Sequence, residues 1–75
     1  MNDVEKLRVL LPHWIEHNSE HAAEFREWAE RARQSEHRDA AWDVRVAAEN
    51  LEAANDVLEA ALEKLGGPLE HHPQG

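Results

Sequence analysis

The sequence contains no cysteine, which excludes disulfide bonds and thiolate metal sites. Any metal ion bound here would need nitrogen and oxygen ligands. No apolar run approaches the roughly 20 residues that a membrane-spanning helix needs, and the first residues, MNDVEKLR, do not resemble a signal peptide. These absences predict a cytoplasmic protein that does not act in a membrane.

Glycine and proline are also scarce. There are three of each, and all but Pro12 lie within the last ten residues. Ala, Glu, Leu and Arg dominate, and no segment is typical of a β-strand. The composition therefore predicts an all-α chain. With 75 residues it can form one small domain, which is marginal alone unless something reinforces it.

The charge is strongly one-sided. Sixteen acidic and eight basic residues give a formal net charge of −8. The basic residues are scattered and most have an acidic neighbour, whereas a phosphate-binding surface needs clustered Lys and Arg. We therefore expect neither nucleic acid nor an anionic membrane as partner. A cation or a basic protein surface suits this charge better.

Two helices are predicted within a single domain of residues 1–67, followed by a disordered tail over 68–75. Helix 1, about 3–33, begins after Asn2, because Asn2 and Glu5 have the spacing of a capping box. Pro12 is expected to kink it, or to divide it into a short helix and a longer one. Helix 2, about 40–65, can be capped by Asp39 and ends at Gly66-Gly67-Pro68.

Apolar residues recur in steps of three and four along both helices, which predicts an antiparallel helical hairpin. An alanine stripe on helix 2, spaced by seven, is left over from this seam. Because one partner helix cannot cover both stripes, we expect two hairpins to form a homodimeric four-helix bundle. The rival is a third helix, formed by the residues before Pro12 and folded back on the hairpin. The predicted helix 1 seam is Val4, Leu7, Leu11, Trp14, Asn18, His21, Phe25, Trp28 and Ala32, and the stripe is Ala40, Ala47, Ala54 and Ala61.

A polar layer interrupts the predicted seam. If the numbers of facing residues add up to about 73, Asn18 lies opposite Asn55, and His21 lies one turn away near Leu51 and Glu52. An asparagine pair can fix helix register at some cost in stability. Alternatively, the layer supports a binding site.

Three histidines, His13, His17 and His21, are spaced by four residues on helix 1, so consecutive ones lie one turn apart on one face. Two imidazoles at that spacing can hold one transition metal ion, and Glu20 and Glu24 are the nearest carboxylates. The pattern predicts a site for a divalent transition metal, with nickel, cobalt or zinc favoured and iron or copper also compatible.

Other residues could complete or support this site. A dimer could supply two histidines from each chain, or helix 2 could supply Glu52 or Asp56. Asn18 and Asn55 could then hold the imidazoles by hydrogen bonds. Two interpretations need no metal: His13 and His17 exposed with His21 satisfied in the seam, or a histidine pH sensor.

Catalysis finds little support in the sequence. It has no nucleophile–base set, no glycine-rich phosphate loop and no HExxH motif, and neither of its serines, Ser19 and Ser35, has a triad context. We therefore predict that the protein is not an enzyme.

The segment LRVLLPHWIEHNSEHAAEFREWAERA, residues 7–32, resembles the signature of small prokaryotic helical proteins and domains of unknown function. A looser similarity, in EHNSEHAAEFREW, is to encapsulated ferritins, short two-helix chains that dimerise into a ferritin-like unit and bind iron between subunits. The ligand motif of that class is Glu-x-x-His, whereas here each helix 1 histidine precedes a glutamate by three residues. This resemblance implies ferritin-like iron binding only as a minor alternative.

The expected function is therefore metal storage, sensing or delivery through His17 and His21, assisted by His13, Glu20 or Glu24. Another metal-handling protein is a possible partner. The alternative is a metal-free interaction module in which the Asn–His layer fixes helix register.

Overall fold

The computed structural model describes residues 1–69, which form two antiparallel helices. Helix α1 spans Asp3–Arg33 and helix α2 spans Arg38–Lys64, joined by the loop 34–37. The predicted all-α hairpin is confirmed, and the part of the chain described contains no strand. Neither helix combines the length and the apolar character that crossing a bilayer requires.

The two helix starts differ. At α1 the predicted capping box is confirmed: the Glu5 N–H donates to Asn2 Oδ1 at 2.8 Å, and the Asn2 N–H donates to Glu5 Oε1 at 3.2 Å. Helix α2 begins at Arg38 rather than near residue 40, so Asp39 lies inside its first turn and is not the cap. His37 takes the cap position without a side-chain bond.

Pro12 lies inside one uninterrupted α1, so the alternative of a separate first helix folded back on the hairpin is wrong. The kink expected at Pro12 stays a prediction. Because proline has no N–H, the carbonyl of Arg8 loses its helical partner. The Leu69 N–H, which follows α2 in the chain, donates to this carbonyl at 3.3 Å. The helical hydrogen bond that Pro12 cannot make is thus replaced by one from the segment after α2.

The Arg8 side chain strengthens the same connection. Its Nε donates to the Gly67 carbonyl at 2.7 Å, and its Nη2 donates to the Gly66 carbonyl at 3.2 Å. Both glycines have positive φ, 106° and 88°, which places these carbonyls beyond the last turn of α2. Of the tail predicted to be disordered, Pro68 and Leu69 are among the described residues, whereas 70–75, with its two histidines, lie outside them.

We expect Arg8→Ala to destabilise the hairpin by about 1–2 kcal/mol, because it removes two charge-assisted hydrogen bonds that tie the ends of the helices together. Urea unfolding followed by circular dichroism measures this. Lys6→Ala is the matched control, since it removes an exposed positive charge from the same helix. Equal effects of the two substitutions would mean that the Arg8 contacts contribute nothing.

Small residues form the contact between the helices. Ala22 and Ala29 of α1 and Ala41 and Ala48 of α2 are buried, and Ala48 is 0% exposed. Short side chains let the two backbones approach closely. We define the contact line as the following buried and half-buried residues, which face the other helix: Leu11, Ile15, Asn18, Ala22, Phe25 and Ala29 on α1, and Ala41, Val44, Ala48, Leu51, Asn55, Leu58 and Leu62 on α2.

The predicted seam of α1 is therefore partly wrong. Trp14 is 44% exposed, Trp28 is 54% exposed and His21 is also exposed, and each comes one position before a residue of the contact line. The predicted seam and the contact line both advance in alternating steps of three and four, and they share Leu11, Asn18 and Phe25. They differ in the order of the steps: from each shared residue the contact line takes a step of four, to Ile15, Ala22 and Ala29, where the prediction takes a step of three.

The hairpin has two unlike sides. One residue is about 100° of helix rotation, so the residues just before and just after the contact line lie on opposite sides. The residues after it are mainly charged, and the Arg26–Glu52 ion pair at 2.6 Å joins the two helices on this charged side. The residues before it form the apolar face, which we define as Leu10, Trp14, His17, His21, Glu24 and Trp28 of α1 with Ala40, Asp43, Ala47, Asn50, Ala54, Val57 and Ala61 of α2.

Candidate metal site on α1

His17 and His21 lie on consecutive turns of α1, at the edge of the apolar face. Their ring centroids are 5.9 Å apart with an interplanar angle of 73°, and both side chains are exposed. Glu24 Oε1 lies 3.8 Å from Nδ1 of His21, and the ring of Phe25 lies 6.3 Å from the same imidazole. Two imidazoles and one carboxylate are thus neighbours on one helix.

His13 and Glu20 take a different direction. Each lies two positions from the nearest residues of the contact line, which turns its side chain outward, and both are exposed. Within residues 1–69, no three His, Asp or Glu side chains surround a point that could hold a metal ion. One hairpin therefore presents an imidazole pair with a carboxylate beside it, and it does not bring three potential ligands to one point.

Asn18 and Asn55 meet across the hairpin, as the register predicted. Asn18 Nδ2 donates to Asn55 Oδ1 at 3.0 Å. Asn55 Nδ2 donates to the Ile15 carbonyl and to Ser19 Oγ, both at 3.0 Å. The two amides thus bond to each other, to the α1 backbone and to Ser19, for which the sequence had suggested no role. Neither amide is directed at a histidine.

The two carboxylates suggested from α2 lie on the charged side. Arg26 Nη2 and Nε donate to Glu52 at 2.6 and 3.2 Å. This hydrogen bonding lowers the pKa of Glu52 and raises the pKa of Arg26. Asp56 directly follows Asn55 of the contact line and shares that side. Within one chain, both carboxylates are therefore on the opposite side from His17 and His21.

The structure also corrects the view that the basic residues are scattered. Arg26, Arg33, Arg38 and Arg45 line one groove of about 290 Å³ near the loop, with Trp42 at its wall. In the sequence, Arg26 and Arg45 each follow a contact-line residue, whereas Arg33 and Arg38 stand at the two ends of the loop. Three of the four are in ion pairs, with Glu52, Glu30 and Glu49. The groove is thus a set of exposed ion pairs that contribute little to stability, with little excess positive charge.

Residues 7–65 match the family model of a domain of unknown function, DUF8180. The chain belongs to this family. An uncharacterized protein of Archaeoglobus fulgidus is 36% identical to it over 63 residues, which are 84% of this chain and the whole of that relative. No solved structure matches.

The DUF8180 match begins in the second turn of α1 and ends at the C-cap of α2, so it contains both helices, the histidine pair and the asparagine layer. The expectation of a small family of unknown function is thereby confirmed. The match to this chain covers the archaeal relative over its full length.

Proposed function

We propose that this DUF8180 protein binds a divalent transition metal ion through His17 and His21 as part of a homodimeric four-helix bundle. The observation that carries the proposal is the imidazole pair, exposed on consecutive turns with ring centroids 5.9 Å apart. Imidazoles spaced by four residues can share one metal ion without any change in the helix.

The surroundings of the pair support this function. A carboxylate beside one ring nitrogen of a histidine orients the ring and makes the other nitrogen a better metal ligand. Glu24 lies on the Nδ1 side of His21 at 3.8 Å, so a small side-chain rotation would bring it to hydrogen-bond distance and leave Nε2 for the metal. Trp14 and Phe25 lie one turn to either side of the pair and give it apolar neighbours. His13 and Glu20, which turn outward, are accessory to the pair.

Imidazole ligands favour nickel, cobalt and zinc over iron, and copper is compatible. Storage, sensing or delivery of the metal in the cytoplasm would each use such a site, without catalysis, and delivery would need a second metal-handling protein. Ferritin-like iron binding stays a minor alternative, because the chain has no Glu-x-x-His motif on α1.

A second candidate is a metal-free interaction module. The observation in its favour is the Asn18–Asn55 pair, which bonds to itself and to the α1 backbone and thus fixes how the helices align. In that case the apolar face docks another protein and the histidines are only part of its rim.

Calorimetric titration with nickel, cobalt and zinc tests the proposal. The chain is best truncated after Leu69, because His71 and His72 then cannot bind metal while the Leu69 N–H still reaches the Arg8 carbonyl. We expect submicromolar, stoichiometric binding with unchanged helical circular dichroism. Binding no tighter than that of a loose histidine pair, or binding found only in the full-length chain, would reject the metal function.

A further inference from the structure

The hairpin is a single layer of two helices. Its principal-axis extents are 53 × 25 × 14 Å, and the part of the chain described contains no large side chain that is fully buried. Globular domains normally consist of at least two packed layers that enclose apolar side chains between them. One chain therefore supplies only one of the two layers.

The missing layer belongs on the apolar face. Trp14 and Trp28 are 44% and 54% exposed there, and Leu10 is also exposed. The alanines of α2 on the same face, spaced by seven, allow close approach of another helix. The opposite side carries ion pairs that are already satisfied in water, so it gains little from being covered.

A second copy of this chain fits the face better than an unrelated partner. The Archaeoglobus fulgidus relative is covered over its entire length by the match, so no other segment of that chain is available to cover the hairpin. The face also avoids the repulsion expected between two chains of net charge −8, because its only acidic residues are Glu24 and, near the loop, Asp43.

The position of His17 and His21 on α1 determines whether the histidines of the two copies meet in this dimer. Helix α1 runs from residue 3 to residue 33, so His17 and His21 lie close to its middle. In a two-fold dimer the same surface is used by both copies, and residues near the axis meet their own counterparts. An axis perpendicular to α1 near residue 19 makes the two α1 helices antiparallel, and facing residue numbers then add up to about 38.

In that register His17 faces His21 of the second copy, and Leu10 faces Trp28 of the second copy. We infer that the second copy docks on the apolar face in this orientation and completes a site of four imidazoles, with one metal ion for two chains. This inference rests on the proposed function, and it explains why one hairpin presents only two imidazoles with one carboxylate beside them.

Trp28→Glu and Trp42→Glu form a matched pair of variants that test the inference. Both tryptophans are exposed, at 54% and 63%, but Trp28 is on the apolar face and Trp42 is on the charged side. Sedimentation equilibrium with and without zinc gives the oligomeric state, and calorimetry gives the zinc affinity and stoichiometry. We expect dimeric wild type and Trp42→Glu with one zinc per two chains.

Trp28→Glu should be helical and monomeric, with zinc affinity reduced at least about tenfold, because the charge opposes docking and removes half of the ligands. A monomeric Trp28→Glu with wild-type zinc affinity would overturn the inference and leave standing only metal binding by the His17–His21 pair of a single chain. A wild-type dimer that binds no zinc would instead reject the function, and the shared site with it.

The orientation has a separate test, which is clean because the chain has no cysteine. Leu10→Cys and Trp28→Cys chains are mixed under oxidising conditions. Disulfides formed mainly between unlike chains support the antiparallel α1 pairing. Disulfides formed equally well within each single variant would contradict it.

Discussion

Replacing His17 and His21 together by alanine is expected to lower the affinity for nickel, cobalt or zinc at least about 100-fold, since even the outer hydrogen-bond partners of a metal ligand are worth roughly 10- to 100-fold. The helices should remain, because both side chains are exposed and alanine has the higher helix propensity. Calorimetry gives the affinity, and circular dichroism shows whether the hairpin is still folded.

The matched control replaces His13 and His37 instead. It removes the same number of imidazoles, but His13 turns outward from α1 and His37 precedes α2 at the loop. We expect metal affinity to fall by at most about tenfold, because His37 is remote from the imidazole pair and His13, one turn before His17, is only accessory to it. If both double variants lose metal equally, the binding is diffuse and the assigned pair is wrong. If neither loses it, the site lies elsewhere.

The parts of the fold that the sequence predicts are those with local signals or strong constraints. The Asn2–Glu5 capping box depends on residues three positions apart. The Asn18–Asn55 contact is not local, yet it could be predicted because two amides within an apolar seam are stable only when they bond to each other. In both cases a polar side chain has a hydrogen-bonding partner at a spacing that can be calculated: three residues for the cap, and the hairpin register for the asparagine pair.

The choice between adjacent positions was harder. The spacing of the large apolar residues favours Trp14 and Trp28 in the seam over Ile15 and Ala29, whereas the hairpin places the smaller residues between its helices. Close approach of two backbones is a property of the pair of helices, and the pattern of one helix does not contain it. Placing His21 one position off the contact line follows from the same shift, and it turns the imidazole from the seam to the apolar face.

The contact of Arg8 with Gly66 and Gly67, at the end of the hairpin away from the loop, could have been predicted by extending the helix register. Facing numbers that add up to about 73 place Arg8 beside the end of α2, where Gly66 and Gly67 provide free carbonyls. The role of Pro12 was not accessible in this way. A proline inside a helix indicates a kink or a break, and only the contact from Leu69 shows that the freed carbonyl has a partner.

We expect Asn55→Ala to destabilise the hairpin by about 2–3 kcal/mol. Asn55 is only 7% exposed and takes part in three hydrogen bonds, so its loss leaves a cavity and a half-buried Asn18 amide without a partner. In a domain this small, such a loss is a large share of the stability. Urea unfolding measures it, and Asn50→Ala, at an exposed position of α2, is the control and should change little.

Replacing both Asn18 and Asn55 by leucine separates stability from specificity. Two leucines restore apolar packing and leave no buried amide, so the unfolding free energy should return to the wild-type value or exceed it. If the pair fixes the alignment of the helices, this more stable variant should populate several oligomeric states in sedimentation experiments. Loss of stability in the double variant would show instead that the amides stabilise the fold. A single oligomeric state would show that small-residue packing at Ala22 and Ala48 sets the register without them.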